Sequence, residues 1–250
     1  MRSPQRPRLT LRKDPANAHA PAPTPSDFVS GHHNPFFDLQ PGTTFTTQSP
    51  DGSEVDTFVV TRQTKLIDGV VCHVIKDTAL VDGEVVEKTN DYFAEDKAGN
   101  VWYFGEDTKE FENGKVVSTE RNLARRRRRR ATGRHHGGVA PQGDSYDQEN
   151  APGVAQDHAV VLDVNGGAIT VPYGTFDHIL VTEETSPLTP DEIEWKHYAE
   201  GVGFPADEGR HTLRMTTWSN WSASRSTARP MATSFLRLCR RRRVERQRRQ

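Results

Sequence analysis

Short runs of alternating apolar and polar residues, separated by turn dipeptides, make up most of the chain between Asp27 and Gly203. Asp-Gly and Asn-Gly pairs recur between these runs, and they favour two-residue hairpins because both central residues of a type I′ turn need positive φ. An apolar pattern with the helical period is nowhere sustained. The sequence therefore predicts a single all-β domain, built as an antiparallel barrel or sandwich.

The clearest part of this pattern is Asp91–Glu120, which predicts three consecutive antiparallel strands. Asn113-Gly114 supplies the second turn, and the aromatic residues between the turns suit a pleated surface. The predicted strands are Tyr92–Ala94, Val101–Glu106 and Lys115–Thr119.

A second strand-rich part follows Gly143, with a hairpin predicted at Asn165-Gly166-Gly167 and a last strand over Glu192–Ala199. Alternation along that last strand is expected to turn Ile193 and Trp195 toward the core. Because the apolar pattern stops after Gly203, the strand is expected to have an open edge.

Three segments do not follow the strand pattern. Residues 1–26 are rich in Pro, Arg and Ala and are predicted to be a disordered leader, since they cannot bury enough apolar surface to offset their ordering entropy. The β-domain is predicted over residues 27–203, interrupted by an Arg-rich loop at 121–141. Residues 204–250 are predicted to be a basic, disordered tail.

The formal net charge of −1 conceals a division along the chain. Asp27–Glu120 and Gly143–Gly203 together hold 30 Asp and Glu against 7 Lys and 1 Arg. Outside them lie 24 of the 25 Arg, six of them in the run Arg125–Arg130. Such a run would bind phosphate groups, so nucleic-acid binding is one interpretation. The other is that these segments are out-of-frame translation of GC-rich DNA, a possible frameshift, since composition switches abruptly at their ends.

Several long motifs in the acidic segments look familiar. They are GHHNPFFDLQPGTTF, DKAGNVWYFGEDTKEFENGKVVSTE, GDSYDQENAPGVAQD, VPYGTFDHILVTEETSPL and KHYAEGVG. The chain resembles, over its two acidic segments, a group of uncharacterised bacterial β-rich proteins that commonly follow a secretion or lipoprotein signal. The resemblance implies an extracytoplasmic location, although no secretory signal is visible in residues 1–26. It implies no catalytic residue.

The candidate ligand-binding residues are His32, His33, Asn34, Trp102 and Phe104. Trp102 and Phe104 fall on one face of their predicted strand and could line a ligand cup, with Tyr103 on the other face. Adjacent histidines in an extended chain point in opposite directions, so His32 and His33 are not predicted to share a metal ion. The sequence predicts no metal site, cofactor or catalytic residue.

These observations favour a non-enzymatic function, either binding of a small ligand in the mouth of a barrel or a structural role. The alternative enzyme is a hydrolase that uses acidic pairs such as Glu106-Asp107 or Glu183-Glu184, whose carboxyl groups would have to face each other across a cleft. No apolar stretch approaches the length of a membrane helix, so no membrane span is predicted. Nucleic acid is expected as a partner only through the Arg-rich runs.

Overall fold

A computed structural model describes residues 23–31, 34–49, 51–119, 133–136, 140–149, 156–190, 193–207 and 211–217. These residues form one short 3₁₀ turn, Pro25–Asp27, and sixteen strands, which confirms the all-β prediction. The strands are β1 Phe28–Val29, β2 Thr43–Gln48, β3 Glu54–Ile67, β4 Val70–Val81, β5 Glu84–Asp96, β6 Val101–Glu112, β7 Lys115–Ser118, β8 Gly133–His136, β9 Ser145–Asp147, β10 His158–Gly166, β11 Ile169–Val171, β12 Gly174–Phe176, β13 Ile179–Thr185, β14 Ile193–Ala199, β15 Gly203–Asp207 and β16 His211–Thr217.

Three of the predicted two-residue turns are confirmed, and they fix the register of the strand ends that they join. In each turn both central residues have positive φ, as a type I′ hairpin requires. Because each turn is only two residues long, it determines which side chains lie opposite each other next to the turn, up to the register shift that each of the three strand pairs contains. The φ pairs are 49° and 85° at Asp68-Gly69, 50° and 82° at Asp82-Gly83, and 48° and 72° at Asn113-Gly114.

The predicted hairpin at residues 165–167 is wrong. β10 runs on through Gly166 and pairs with Ile179 of β13. The chain instead turns at Pro172 and Tyr173, between β11 and β12, which form a small separate sheet. The Asn-Gly-Gly signal is local, and here it is overridden by the long-range pairing of β10 with β13, which contains two register shifts.

Fourteen strands form one antiparallel sheet, in the order β7-β6-β5-β4-β3-β2-β16-β15-β14-β13-β10-β9, with β1 paired to β5 and β8 paired to β6. Among the described strands, β7 and β8 both pair with β6 at one end of the sheet, and neither forms a ladder with β9 at the other end. The sheet is therefore an open one, and the barrel alternative of the prediction is not realised as a closed barrel.

The predicted open edge beyond Ala199 is also wrong, because β14 pairs with β15, β15 with β16 and β16 with β2. Strand pairing joins main-chain N–H and C=O groups, so it does not require the apolar alternation that the sequence loses after Gly203. The sheet thus extends to Thr217, inside the predicted tail, and β8 lies inside the predicted Arg-rich loop. Apart from residues 140 and 141, the rest of those two segments lies outside the described residues, as does the leader up to residue 22.

The faces of β14 are the reverse of the prediction. Ile193 and Trp195 are 51% and 40% exposed, whereas Lys196 and Tyr198 are buried. The reason is a polar interaction that apolar alternation cannot reveal: Lys196 Nζ lies 2.5 Å from the buried carboxylate of Glu184 on β13.

The interior consists of two apolar clusters on opposite faces of the central strands. The larger cluster includes Phe37, Phe58, Phe93 and Tyr103, and the smaller one is built around Cys72. The larger cluster joins the two acidic parts of the chain, since its members also come from β10, β13 and β14. Its full set of buried residues is Phe37, Leu39, Phe45, Phe58, Val60, Ile75, Phe93, Val101, Tyr103, Tyr146, Ala159, Val161, Val171, Leu180 and Tyr198.

Glu184 is the centre of a buried polar network in this interior. Its carboxylate accepts hydrogen bonds from Lys196 at 2.5 Å and from Tyr198, Gln148 and Thr182 at 3.2 Å each. Burial alone would lower the pKa of Lys196, but the nearby carboxylates of Glu184 and Glu194 outweigh it, so the pKa is raised and the ammonium stays charged.

We predict that Lys196→Met lowers the free energy of unfolding by about 3–5 kcal/mol, because it leaves a carboxylate buried without its cation. The double variant Glu184→Gln, Lys196→Met should recover most of that loss, since it removes both charges and keeps an acceptor for Tyr198. Urea unfolding of both variants checks this, with Lys115→Met as a control at an exposed site. A single variant within ~0.5 kcal/mol of the control, the range of ordinary surface changes, would contradict the assignment.

Candidate functional site

Asn34 lies buried in a structural position. Its side-chain amide donates to the carbonyl oxygen of Gly99 at 2.8 Å, and its Oδ1 accepts from the backbone N–H of Phe36 at 2.9 Å. These bonds attach the segment after β1 to the turn between β5 and β6. His32 and His33, the other two candidates in that motif, lie outside the described residues.

Trp102 and Phe104 lie on the face of β6 opposite Tyr103, as alternation predicts. Phe28 covers both rings with edge-on contacts, its centroid 6.4 Å from Trp102 and 5.3 Å from Phe104. The indole N–H of Trp102 donates to Asp96 Oδ2 at 2.7 Å. Strand β1 of the chain itself packs against these two side chains. That they line a ligand cup stays a prediction.

The acidic pairs considered for hydrolysis do not converge. Glu106 is buried in the interior while Asp107 faces outward, and Glu184 is buried while Glu183 faces outward to accept a hydrogen bond from Trp195 at 3.0 Å. Neighbouring residues on a strand point to opposite faces, so neither pair can flank one substrate bond.

A layer of carboxyl groups lies inside the sheet, on the inner face of β4, β5 and β6. Asp77, Glu87, Asp91 and Glu106 are each 5% exposed or less. Tyr103 Oη lies 3.1 Å from both Asp91 Oδ1 and Glu106 Oε2. A hydroxyl carries one proton and can donate to one of them, so the second contact is a hydrogen bond only when a carboxyl group is protonated.

A protonated Asp91 side chain agrees with the two distances from the Tyr103 hydroxyl. Burial, followed by the charges of Glu106, Asp77 and Glu87, raises its pKa well above the ordinary value for aspartate. Burial also raises the pKa of Tyr103, so its phenol stays protonated. Because these groups are buried, a substrate cannot reach them. In the folded state the carboxyl group of Asp91 keeps its proton.

The outer face of the same three strands carries a groove of a different character. It has a volume of about 660 Å³. Three of its lining side chains are exposed lysines, one from each strand: Lys76, Lys88 and Lys109. Within the described part of the chain none of their ammonium groups lies within ion-pair distance of a carboxylate, while Lys88 Nζ lies 5.8 Å from the ring centroid of Phe111.

Strand register brings these side chains together. Lys88 is directly opposite both Thr78 of β4 and Lys109 of β6, which gives one row across the groove. Asn90 is directly opposite both Lys76 and Asp107, which gives the next row. Opposed residues on neighbouring strands lie about 5 Å apart, and successive residues of one face about 6.6 Å apart along a strand.

A second groove of about 440 Å³ continues from the first and shares Asn90 with it. Here Lys65 Nζ lies 2.8 Å from Asp107 Oδ2 and 3.9 Å from the ring centroid of Tyr92. The hydroxyl of Tyr92 donates to the same Asp107 oxygen at 2.6 Å. Asp107 is thereby held in a fixed orientation at the junction of the two grooves.

The sequence alone does not reveal this groove. Each lysine stands alone in its strand, and only the register of three strands makes them neighbours. A signal was nevertheless present: these lysines are at outward-facing positions of strands whose inward-facing positions are acidic, such as Lys76 beside Asp77.

The described residues contain no group of three or more His, Cys, Asp or Glu side chains arranged to hold a metal ion. In the same residues, no helix has the length and apolar character needed to cross a membrane.

Comparisons of the chain with protein-family models, with curated proteins and with solved structures find no match. The resemblance to bacterial β-rich proteins accordingly stays a prediction.

We predict that Asp91 contributes less to the stability of the β-domain as pH rises. The folded state holds a proton on Asp91 at pH values where the unfolded chain, with a pKa near 3.9, has lost it. This contribution to the free energy of unfolding should therefore be largest in acid and be lost as pH rises through the raised pKa.

Asp91→Asn should flatten this dependence and stabilise the protein at pH 8 by about 1–3 kcal/mol, the cost of an unsatisfied buried polar group. Unfolding monitored from pH 4 to pH 8 measures the effect, and Asp82→Asn, at an exposed turn, is the control. Identical pH profiles for the wild type and Asp91→Asn would contradict a proton on this carboxyl group.

Proposed function

We propose that this β-domain is a non-enzymatic binding module that takes an anionic ligand in the outer groove of β4, β5 and β6. The observation that carries the proposal is the set of three exposed lysines without a carboxylate partner among the described residues.

The lysine ammonium groups attract an anion that is bound in the groove much more strongly than an anion farther away. Charges farther away than about 8 Å are largely screened at physiological ionic strength. Three ammonium groups on neighbouring strands can reach a single anion in the groove. Of the two carboxylates that line the groove, Asp77 is 5% exposed and Asp107 is paired with Lys65. An anion in the groove is therefore stabilised by its immediate surroundings.

Binding is favoured over hydrolysis for two reasons. The acidic pairs Glu106-Asp107 and Glu183-Glu184 point to opposite faces of their strands, and the carboxyl layer around Asp91 is buried. A small apolar ligand in a barrel mouth is less favoured, since aromatic and aliphatic side chains fill the inner face. The extracytoplasmic location implied by the resemblance is part of the proposal, because such a module would meet its ligand outside the cell.

Lysine acetylation footprinting tests the groove directly, and it is not obscured by the arginine-rich segments because arginine does not react. With tripolyphosphate as the probe, we expect the acetylation rates of Lys76, Lys88 and Lys109 to fall at least threefold. The exposed Lys97 and Lys115 are internal controls that should not change.

A second measurement uses salt and substitution. The protection should weaken as ionic strength rises from 20 mM to 300 mM, since screening shortens the reach of the lysine charges. Lys88→Ala should reduce the protection of Lys109, its direct neighbour across the strand pair. Equal protection of all five lysines, or protection of none, would contradict the proposed site.

A further inference from the structure

Two apolar side chains lie beside the lysines of the groove. Lys109 and Phe111 are two residues apart on β6, so their side chains are on the same face, and both line the groove. Val116 of β7 is directly opposite Phe111 and is 50% exposed. Phe111 and Val116, the apolar pair, therefore continue the outer face of the sheet next to the ammonium groups of Lys88 and Lys109.

The ring of Phe111 is only half-buried, and Lys88 Nζ lies 5.8 Å from its centroid. That distance is close to the limit of about 6 Å for a cation–π contact, so the ring holds the ammonium group only weakly and leaves it able to contact an anion. An inorganic anion would use the lysines and leave the apolar pair in water. A ligand with an apolar part beside its charge removes this apolar surface from water as well.

The geometry limits the size of that apolar part. Directly opposed side chains on neighbouring strands lie about 5 Å apart, so the apolar pair offers the area of a single ring rather than that of a long acyl chain. An oxygen that accepts a hydrogen bond from Lys88 lies about 3 Å from Nζ. A ring packed against Phe111 must therefore carry its charged group directly or on a short link.

We infer that the ligand of the groove is a small aromatic anion, with its charged group on Lys88 and Lys109 and its ring on Phe111 and Val116. This inference rests on the proposed function, because it requires the groove to bind anions at all. Two ammonium groups on directly opposed residues attract a group with more than one negative charge, such as a phosphate monoester, more strongly than a single carboxylate.

The ring should raise the affinity about tenfold over that of the charged group alone. An aromatic side chain buries about 150–250 Å² when it is enclosed, so covering one face of a ligand ring removes at least about 60 Å² from water. At ~25 cal/mol per Å², that area corresponds to about a tenfold gain in affinity.

The test compares four probes that separate charge, ring and chain: phenyl phosphate, methyl phosphate, hexyl phosphate and benzyl alcohol. The dissociation constants are measured by NMR titration of the full chain, from the backbone amides of β5, β6 and β7. We expect phenyl phosphate to bind about tenfold more tightly than methyl phosphate and benzyl alcohol. It should also bind about threefold more tightly than hexyl phosphate, whose flexible chain of equal carbon number loses more freedom on binding.

Variants of the apolar pair assign the ring. Phe111→Leu keeps an apolar side chain but removes the ring, so it should weaken phenyl phosphate binding about fivefold and leave methyl phosphate unchanged. Val116→Thr keeps the β-branched shape and should weaken phenyl phosphate binding about twofold. Val117→Thr is the matched control that should change neither, because Val117 is 45% exposed but lies at the register shift rather than opposite Phe111.

A second readout does not depend on any variant. Nuclear Overhauser contacts between the protons of bound phenyl phosphate and the Phe111 ring or the Val116 methyl groups would place the ligand ring directly. Lys88→Ala with Lys109→Ala should weaken the binding of all three phosphates. Unchanged amide shifts outside the groove confirm that each variant is folded.

The outcomes separate this inference from the proposed function. If methyl phosphate and tripolyphosphate bind in the groove but phenyl phosphate binds no more tightly than methyl phosphate, the aromatic ring is wrong and the anion site stands. If hexyl phosphate or benzyl alcohol binds as tightly as phenyl phosphate, the inference is also overturned, because the ring or the charge is then not needed. If no phosphate shifts these amides, both fail together.

Discussion

The alternation of side chains along β4, β5 and β6 is the constraint on which the rest of this structure depends. Because successive residues of a strand point to opposite faces, every outward lysine in these strands has an inward neighbour of another kind, as with Lys76 and Asp77. The pairing of β4 with β5 and of β5 with β6, which includes register shifts at Ala79/Leu80 and Asp91/Phe93, then lines up the same face of all three strands. One stretch of chain thereby forms both a buried acidic layer and an exposed lysine groove.

The two faces have different physical consequences. On the inner face, carboxyl groups removed from water must share protons or meet cations, and the domain uses both solutions. Asp91 holds a proton beside Tyr103, whereas Glu184 on β13 pairs with Lys196 on β14. On the outer face the lysines remain hydrated, and their proximity to one another becomes useful only when an anion is bound.

Much of the fold could be predicted from the sequence because its signals are local. The Asp-Gly and Asn-Gly turns and the aromatic alternation around Tyr103 depend on a few neighbouring residues, and these predictions hold. The failures all involve partners distant in sequence. Trp195 faces outward because Lys196 meets Glu184, and β15 and β16 pair through their main chains, which composition does not reveal.

The site was harder to predict for the same reason. Among the predicted residues, Asn34 makes hydrogen bonds to the protein, and Trp102 and Phe104 pack under Phe28. The groove needs the register of three strands, and register shifts at Ala79/Leu80 and Asp91/Phe93 mean that counting from the turns gives the wrong opposed pairs.

Cross-strand disulfide formation tests that register most directly. In the variant Lys88→Cys, Lys109→Cys, with Cys239→Ser to remove a competing thiol, the two new cysteines are directly opposed, and the Cα separation of such a pair suits a disulfide. The account predicts that this bond forms rapidly under mild oxidation, while Lys88→Cys paired with Glu110→Cys stays reduced because those side chains lie on opposite faces. A disulfide in the second variant and not in the first would mean that the lysines do not share a face and that the groove does not exist.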